Sequence, residues 1–354
     1  MCTLKVKLPQ KEYSIIIERE ILGSIGRKIK KIYRNKKIAI ITDSNVEELY
    51  GKSIMNSLNE EGFETKIIVI EPGEESKSLD TASNIYKELL DFEITRGDMI
   101  IAFGGGVVGD LAGFVASTLL RGIPFIQIPS TLLAQIDSSV GGKVAVNLPE
   151  GKNLIGSFYH PEVVFIDPEL LKTLDKRFLY DGMAEVIKYG CIRDKRLFDK
   201  LMKFKDEEEL FSNMEEIIQS CCAIKRDIVE RDEKDTGERM LLNFGHTIGH
   251  AIEKHFGYKK YTHGEAVAIG MYNITKKSEE IGITDKGTVK HIEEIITKYS
   301  LPYIMPETNR DEIIKAIGID KKNKGDSLNI VLLHRIGESF IKKINRKDVD
   351  KYII

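Results

Sequence analysis

The most constraining feature of the chain is a run of apolar residues that ends abruptly in glycine. Met99-Ile100-Ile101-Ala102-Phe103 leads without a polar break into Gly104-Gly105-Gly106-Val107-Val108-Gly109-Asp110, and Leu111 to Leu120 continues as an apolar helix rich in small residues. A strand apolar on both faces needs cover on both, which is the condition of a parallel sheet between helices. Ile38-Ala39-Ile40-Ile41 has the same character and closes on Asp43-Ser44-Asn45, a helix-capping cluster. A helix to about Glu61, a strand over Thr65 to Ile70, a polar loop Glu71 to Lys77 and an amphipathic helix to about Phe92 are expected next. Strand and helix alternate, so the economical architecture is an open α/β sheet. Ahead of it, Leu4, Val6, Leu8, Tyr13, Ile15 and Ile17 alternate with polar residues and predict two half-buried strands around Pro9-Gln10-Lys11.

The glycine turn fits GxGxxG, in which backbone amides at a helix N-terminus face a pyrophosphate. Tight turns also collect glycine for steric reasons. The acidic residue expected about twenty positions on is absent, since that stretch reads Phe125-Ile126-Gln127-Ile128-Pro129-Ser130. Asp43, at the end of an earlier strand, is the better ribose partner, which implies a dinucleotide fold of a different arrangement from the common one.

A chain of 354 residues is long enough for two domains. With 53 Lys and Arg against 55 Asp and Glu, no global field points to nucleic acid or an anionic membrane. The basic stretch Arg27 to Lys37 offers only Tyr33 for stacking and reads as a solvated helix face. Cys2, Cys191, Cys221 and Cys222 show no CxxC spacing and read as reduced thiols. There is no signal-like apolar segment at the start and no run near the ~18 residues needed to span a bilayer. A cytoplasmic location is expected.

Polar chemistry is densest from Pro129 to Ser157, where Lys143 and Lys152 lie among glycines, hydroxyls and amides. Both a glycine-lined anion site and an irregular surface loop fit. Beyond Val163 to Pro168 the pattern turns helical to near residue 300, so a boundary is expected near residue 175, giving domains 1–175 and 176–354. Glu185 and Lys188 stand three apart on one helix face, the spacing of an ordinary surface ion pair. A long helix is expected from Asp206 to about Val229, carrying Lys225. Four of the seven histidines, His246, His250, His255 and His263, fall between residues 246 and 263. His246 and His250 are four apart on one helical face, and with a carboxylate or third imidazole could hold a divalent metal, although the glutamate of metalloprotease helices is missing beside the first. Hydrogen-bonded helix histidines would give the same spacing. Asp320 to Gly325 reads as a basic turn before the strand-like Leu328 to Leu333.

Taken together, GGGVVGD (Gly104 to Asp110), RG (Arg121, Gly122), PSTLLAQIDSSVGGK (Pro129 to Lys143), KNLIGSF (Lys152 to Phe158), AEVIKYG (Ala184 to Gly190), NFGHTIGHAIE (Asn243 to Glu253) and HGEAVAIGM (His263 to Met271) resemble the 3-dehydroquinate synthase family of sugar phosphate cyclases. The resemblance implies an N-terminal NAD-binding parallel-sheet domain, a C-terminal mostly helical metal-binding domain, and an active site in the cleft between them. It implies Glu185, His246 and His263 as ligands of zinc or cobalt, with His250 beside the substrate, whereas spacing alone pairs His246 with His250. For NAD it implies Asp43, Asn45, Glu74, Lys77, Gly105, Gly106, Val107, Asp110, Ser130, Thr131, Lys143, Lys152 and Thr173.

For a sugar phosphate acid it implies Lys143, Asn153, Lys188, Lys225, Arg239, Asn243, His250 and a lysine of the pair Lys321 and Lys322. Asp137 would orient a lysine or a substrate hydroxyl, and Arg121 would reach a neighbouring subunit of a homodimer. Val144, His160, Asp175 and Phe178 depart from the family's pattern without removing a charged site residue. Cyclases of neutral sugar phosphates, such as 2-deoxy-scyllo-inosose or valiolone synthase, share these motifs, and a metal-dependent polyol dehydrogenase shares the two-domain plan. A silent NAD-binding scaffold is the reading from another class. Lys225, Arg239 and Asn243 favour an acid substrate, because a carboxylate needs cationic or amide partners.

Overall fold

In the computed structural model, which describes residues 1–307, 312–313, 317 and 327–353, the unbroken apolar runs form the middle of a seven-stranded sheet. The chain divides into two compact units, Met1–Leu174 with Lys225–Glu230, and Asp175–Ile224 with Arg231–Ile354.

The first unit contains β1 (Cys2–Lys7), β2 (Glu12–Ile17), α1 (Ile25–Ile32), β3 (Lys37–Asp43), α2 (Ser44–Val46), α3 (Lys52–Glu60), β4 (Glu64–Ile70), α4 (Leu79–Asp91), β5 (Met99–Gly104), α5 (Gly106–Thr118), β6 (Phe125–Pro129), β7 (Lys143–Leu148), β8 (Gly151–Phe158) and β9 (Val163–Ile166). The sheet order is β1-β2-β9-β6-β5-β3-β4. Only β1 and β2 pair antiparallel in it, through the turn at residues 8–11.

Side chains alternate across a strand, and here both sets are buried. Ile38, Ile40, Met99, Ile101 and Phe103 pack with Ile25, Ile29, Ile54 and Leu58 of α1 and α3. Ala39, Ile41, Ile100 and Ala102 pack with Ile85, Leu89, Leu111 and Val115 of α4 and α5. That double burial is why the runs Ile38–Ile41 and Met99–Phe103 carry no polar residue.

Two local expectations are corrected. The stretch from 129 to 157 is not an irregular loop: a π-helical turn over Ala134–Ser138 leads into the antiparallel hairpin β7–β8. Val144 and Val146 of β7 join the core under α5, and their alternation was masked by the polar residues around them. The helix expected from Asp43 to Glu61 is interrupted by a π-helical turn over Glu47–Gly51.

The second unit is helical: α6 (Lys176–Ile192), α7 (Lys195–Lys203), α8 (Glu207–Ser212), α9 (Met214–Arg231), α10 (His246–His255), α11 (His263–Glu280) and α12 (Thr288–Lys298), with a hairpin of β10 (Ser327–Arg335) and β11 (Glu338–Asn345). The helix expected from Asp206 is two helices: Asp206 caps the first, and Asn213 ends it by donating from Nδ2 to the Glu209 carbonyl at 2.8 Å. Residues Lys225–Glu230 near the end of α9 group with the first unit.

Helix α6 is buried from Asp181 to Ile192, and α11 approaches it at Gly264, where a Cβ would lie 2.0 Å from the Asp181 carbonyl oxygen. A Cβ on Gly270 would likewise lie 2.0 Å from the Gly245 carbonyl oxygen. No described helix is long and apolar enough to cross a membrane.

Candidate functional sites of the two units

In an open α/β sheet the ligand crevice lies where successive connections depart in opposite directions, at the carboxyl ends of the strands. Here β3 has β4 on one side and β5 on the other, and the next strand, β6, lies beyond β5. Asp43 ends β3 and Gly104 ends β5, so both residues read as candidates flank that point.

Asp43 accepts at Oδ1 from the amides of Asn45 (3.0 Å) and Val46 (3.1 Å). Burial raises its pKa, with those amides acting in the opposite sense. Asn45 is exposed beside it. Gly105 precedes the first turn of α5, and Gly106 and Val107 form it. A Cβ on Gly105 would stand 3.1 Å from Thr131 Cγ2, so β6 brings Thr131 against the glycine turn. The neighbouring Ser130 is buried and donates its amide to the Gly104 carbonyl at 2.9 Å.

Around this turn lies an ionic network. Lys77 is buried, and its Nζ stands 2.5 Å from Asp110 and 4.0 Å from Glu74. Burial disfavours its cation, but Asp110 and Glu74 outweigh that and raise its pKa. Glu74 also faces Lys152 at 3.8 Å and accepts from Asn147 Nδ2 at 2.7 Å. Asn147 Oδ1 in turn accepts the amide of Asn153 at 2.8 Å, fixing a residue at φ 57°.

Asn147 has no counterpart among the residues singled out from sequence. Lys225 donates to the Asp137 carbonyl at 2.7 Å and to its carboxylate. Thr173 shares a 2.6 Å hydrogen bond with Tyr50. Lys143 and Arg121 are exposed, the latter at φ 68°.

In the second unit, Glu185, His246 and His263 each present a ligand atom within 4.8 Å of the others. The Glu185 carboxylate oxygen Oε1 lies 3.6 Å from His246 Nε2 and 3.7 Å from His263 Nε2. Nδ1 of His246 lies 3.1 Å from the Phe244 carbonyl, which places the proton there and the lone pair on Nε2. Burial, then the charge of Lys188 and the neighbouring histidines, hold the His246 pKa well below its ordinary value.

For His263, burial lowers the pKa, but Glu253, Glu185 and Asp181 outweigh it and raise it to about 9. One carboxylate and two imidazoles at this separation suit a divalent ion of the zinc or cobalt type. A second group, His250, Glu253 and His263, meets the same 4.8 Å limit.

Glu185 and Lys188 form an ion pair, but not at the surface: their side chains are 0% and 1% exposed. Arg239 is buried and donates from Nη1 to the Glu233 carbonyl at 2.7 Å. The preceding turn is organised by Asp232, whose carboxylate accepts the amides of Thr236 (3.0 Å), Gly237 (2.7 Å) and Arg239 (2.9 Å). Asn243 and His250 are exposed. Lys321 and Lys322 lie outside the described residues.

Asp181, Asp232 and Glu253 were not among the sequence candidates. The available signals were the HxxE spacing of His250 and Glu253 and the position of Asp181 one helical turn before Glu185.

Two family models, described as 3-dehydroquinate synthase N-terminal and 3-dehydroquinate synthase C-terminal, match residues 67–181 and 182–323. A 3-dehydroquinate synthase of Clostridium botulinum is 58% identical over 345 residues, covering 98% of this chain and 99% of the relative. Among solved structures, a 2-deoxy-scyllo-inosose synthase complexed with carbaglucose-6-phosphate, NAD+ and Co2+ aligns with a TM-score of 0.87 at 26% identity, covering 100% of both chains. A 2-epi-5-epi-valiolone synthase from Streptomyces hygroscopicus shares the fold, with a TM-score of 0.87 at 24% identity over 97% of this chain and 96% of its own.

Proposed function

Because the chain belongs to the 3-dehydroquinate synthase family, we propose that it converts 3-deoxy-D-arabino-heptulosonate 7-phosphate to 3-dehydroquinate and phosphate. The observation that carries this is the pairing of a glycine turn at a sheet switch point with a Glu-His-His donor set, in a chain 58% identical end to end to a synthase.

In this reading NAD lies at Asp43, Asn45, Glu74, Lys77, Gly105, Gly106, Val107, Asp110, Ser130, Thr131, Lys143, Lys152 and Thr173, and Glu185, His246 and His263 hold zinc or cobalt. When bound, NAD would supply a reversible hydride acceptor and the divalent ion a Lewis acid for the hydroxyl whose carbon is oxidised. The C5 carbinol would become a ketone by giving hydride to NAD, and the acidified C6 proton would pass to the substrate's own phosphate, which leaves as a C6–C7 double bond forms. Return of the hydride to C5, opening of the ring and an intramolecular aldol closure complete the sequence without net redox.

The chain's own residues supply placement and charge. Lys188 and Arg239 are buried cations, and in a low-dielectric setting they stabilise a dianionic phosphate and a carboxylate more than solvated lysines would. In the same proposal Lys225, Lys143, Asn153, Asn243, His250 and Lys321 serve those anions; within its own unit Lys225 donates to Asp137. Two cations and an amide, Lys225, Arg239 and Asn243, favour the acid over a neutral sugar phosphate. Cytoplasmic action as a homodimer, with Arg121 reaching the neighbouring subunit, belongs to the same proposal.

The test is phosphate release from the heptulosonate phosphate with NAD and Zn2+ or Co2+ present, with absorbance followed for NADH. Phosphate without accumulating NADH is expected. NADH without phosphate would make the protein a dehydrogenase, and neither signal would point to a neutral sugar phosphate.

A further inference from the structure

We propose that Glu253 is a positioning residue that orients His263 toward the metal and sets how tightly the ion is held, an inference that rests on Glu185, His246 and His263 being the ligands. An imidazole that gives one nitrogen to a metal carries its proton on the other, and what accepts that proton fixes the ring's tautomer and orientation. The two candidate ligands meet this need differently. His246 presents Nδ1 to the neutral Phe244 carbonyl at 3.1 Å. His263 presents Nδ1 to the Glu253 carboxylate at 3.4 Å, while its Nε2 faces Glu185 at 3.7 Å.

The Glu253 side chain is only 5% exposed, so solvent does little to dilute its charge. A buried carboxylate is costly without a partner of complementary charge or a proton to accept, and the ring of His263 offers that proton. Glu253 lies seven residues after His246 on α10, two helical turns along the same face. One helix thus carries both a ligand and the support for a ligand on α11. A carboxylate behind an imidazole makes the ring a more basic donor than a carbonyl does, so Glu253 strengthens the more exposed ligand: His263 is 29% exposed against 11% for His246.

Glu253 could instead bind an ion itself, with His250 and His263, since those three also come within 4.8 Å. His263 would then have to bridge two cations as an imidazolate. The number of ions bound distinguishes the two arrangements.

The experiment titrates Co2+ into the full-length protein against a competing chelator and follows the visible d–d absorption, for wild type, Glu253→Gln, Glu253→Ala and His246→Ala. One Co2+ per chain is expected in wild type. Glu253→Ala should weaken binding about 10- to 100-fold and alter the d–d spectrum. Glu253→Gln, whose amide oxygen still accepts the Nδ1 proton, should recover part of the loss. NAD affinity and the melting temperature without metal should change little in Glu253→Gln, a pattern that general loosening of the fold would not give.

Wild-type affinity in both Glu253 variants, with affinity lost in His246→Ala, would overturn the role of Glu253 and leave the ligand assignment standing. Binding of a second Co2+ that disappears in both variants would make Glu253 a ligand and overturn it too. Retention of Co2+ by His246→Ala would sink the ligand assignment itself.

Discussion

Replacing Lys77 by methionine removes the cation at the centre of the ionic network beside the glycine turn while keeping most of its volume. The partner left behind is Asp110, whose carboxylate lies 2.5 Å from Nζ. Burial raises the Asp110 pKa, and the charge and hydrogen bond of Lys77 restrain that rise. Breaking a fully buried pair costs about 3–5 kcal/mol and an exposed one at most about 1 kcal/mol. The Lys77 side chain is 5% exposed but that of Asp110 is 20%, so the expected loss is about 3 kcal/mol, the lower end of the buried range. For a unit of this size that corresponds to about 6–12 °C in melting temperature.

The sign of the pH dependence follows from the raised carboxyl pKa. Without Lys77, Asp110 takes up a proton on folding, so the variant gains stability relative to wild type as pH falls, by up to about 1.4 kcal/mol per unit while Asp110 titrates. Urea denaturation of both proteins from pH 8 to pH 5 reads this directly. A difference below about 1 kcal/mol that does not change with pH would show Lys77 and Asp110 to be a solvated pair, and the reading of a buried ionic network beside the glycine turn would fall.

Two other predictions concern the second unit. His246 is held neutral and His263 has a pKa of about 9, so metal uptake near pH 7 should release about one proton, from His263. Affinity should rise with pH and level off above about 9; calorimetry in buffers of different ionisation enthalpy measures the proton, and its absence would show His263 to be neutral near pH 7 before the ion binds. Asp232→Ala removes the carboxylate that gathers the amides of Thr236, Gly237 and Arg239. If that turn aims Arg239 at the substrate carboxylate, KM should rise about 10- to 150-fold, the worth of one charge-assisted hydrogen bond at about 1.5–3 kcal/mol. The kcat should change little, and an unchanged KM would disconnect Asp232 from substrate binding.

The two units were unequally legible in sequence for a physical reason. In the first, β3 and β5 are buried on both faces by neighbours close in the chain, so the fold is written as unbroken apolar runs, and Gly104 to Gly106 follow one of them directly. The hairpin β7–β8 was less legible because its buried residues are few, Val144 and Val146 with Ile155 partly buried beside them, and its alternation is broken by glycines and polar residues.

In the second unit the decisive relation is tertiary. Sequence spacing joins His246 to His250, one turn apart on a single helix, and is silent about Glu185, which lies far back in the chain. What brings Glu185 to the histidines is a contact at which a side chain is excluded: Gly264 sits against the Asp181 carbonyl, and its amide donates to the Asp181 carboxylate at 2.5 Å. Asp181 is one helical turn before Glu185 and Gly264 directly follows His263, so fixing the first pair fixes the second. The same burial explains why Glu185 and Lys188 read as an ordinary surface pair: an i, i+3 spacing looks alike in water and in a core, and only the packing of α11 on α6 distinguishes them. Gly264 therefore sets Glu185 against His263, and Gly270, packed on the Gly245 carbonyl next to His246, brings α10 to the same helix, which the histidine spacing alone does not tell.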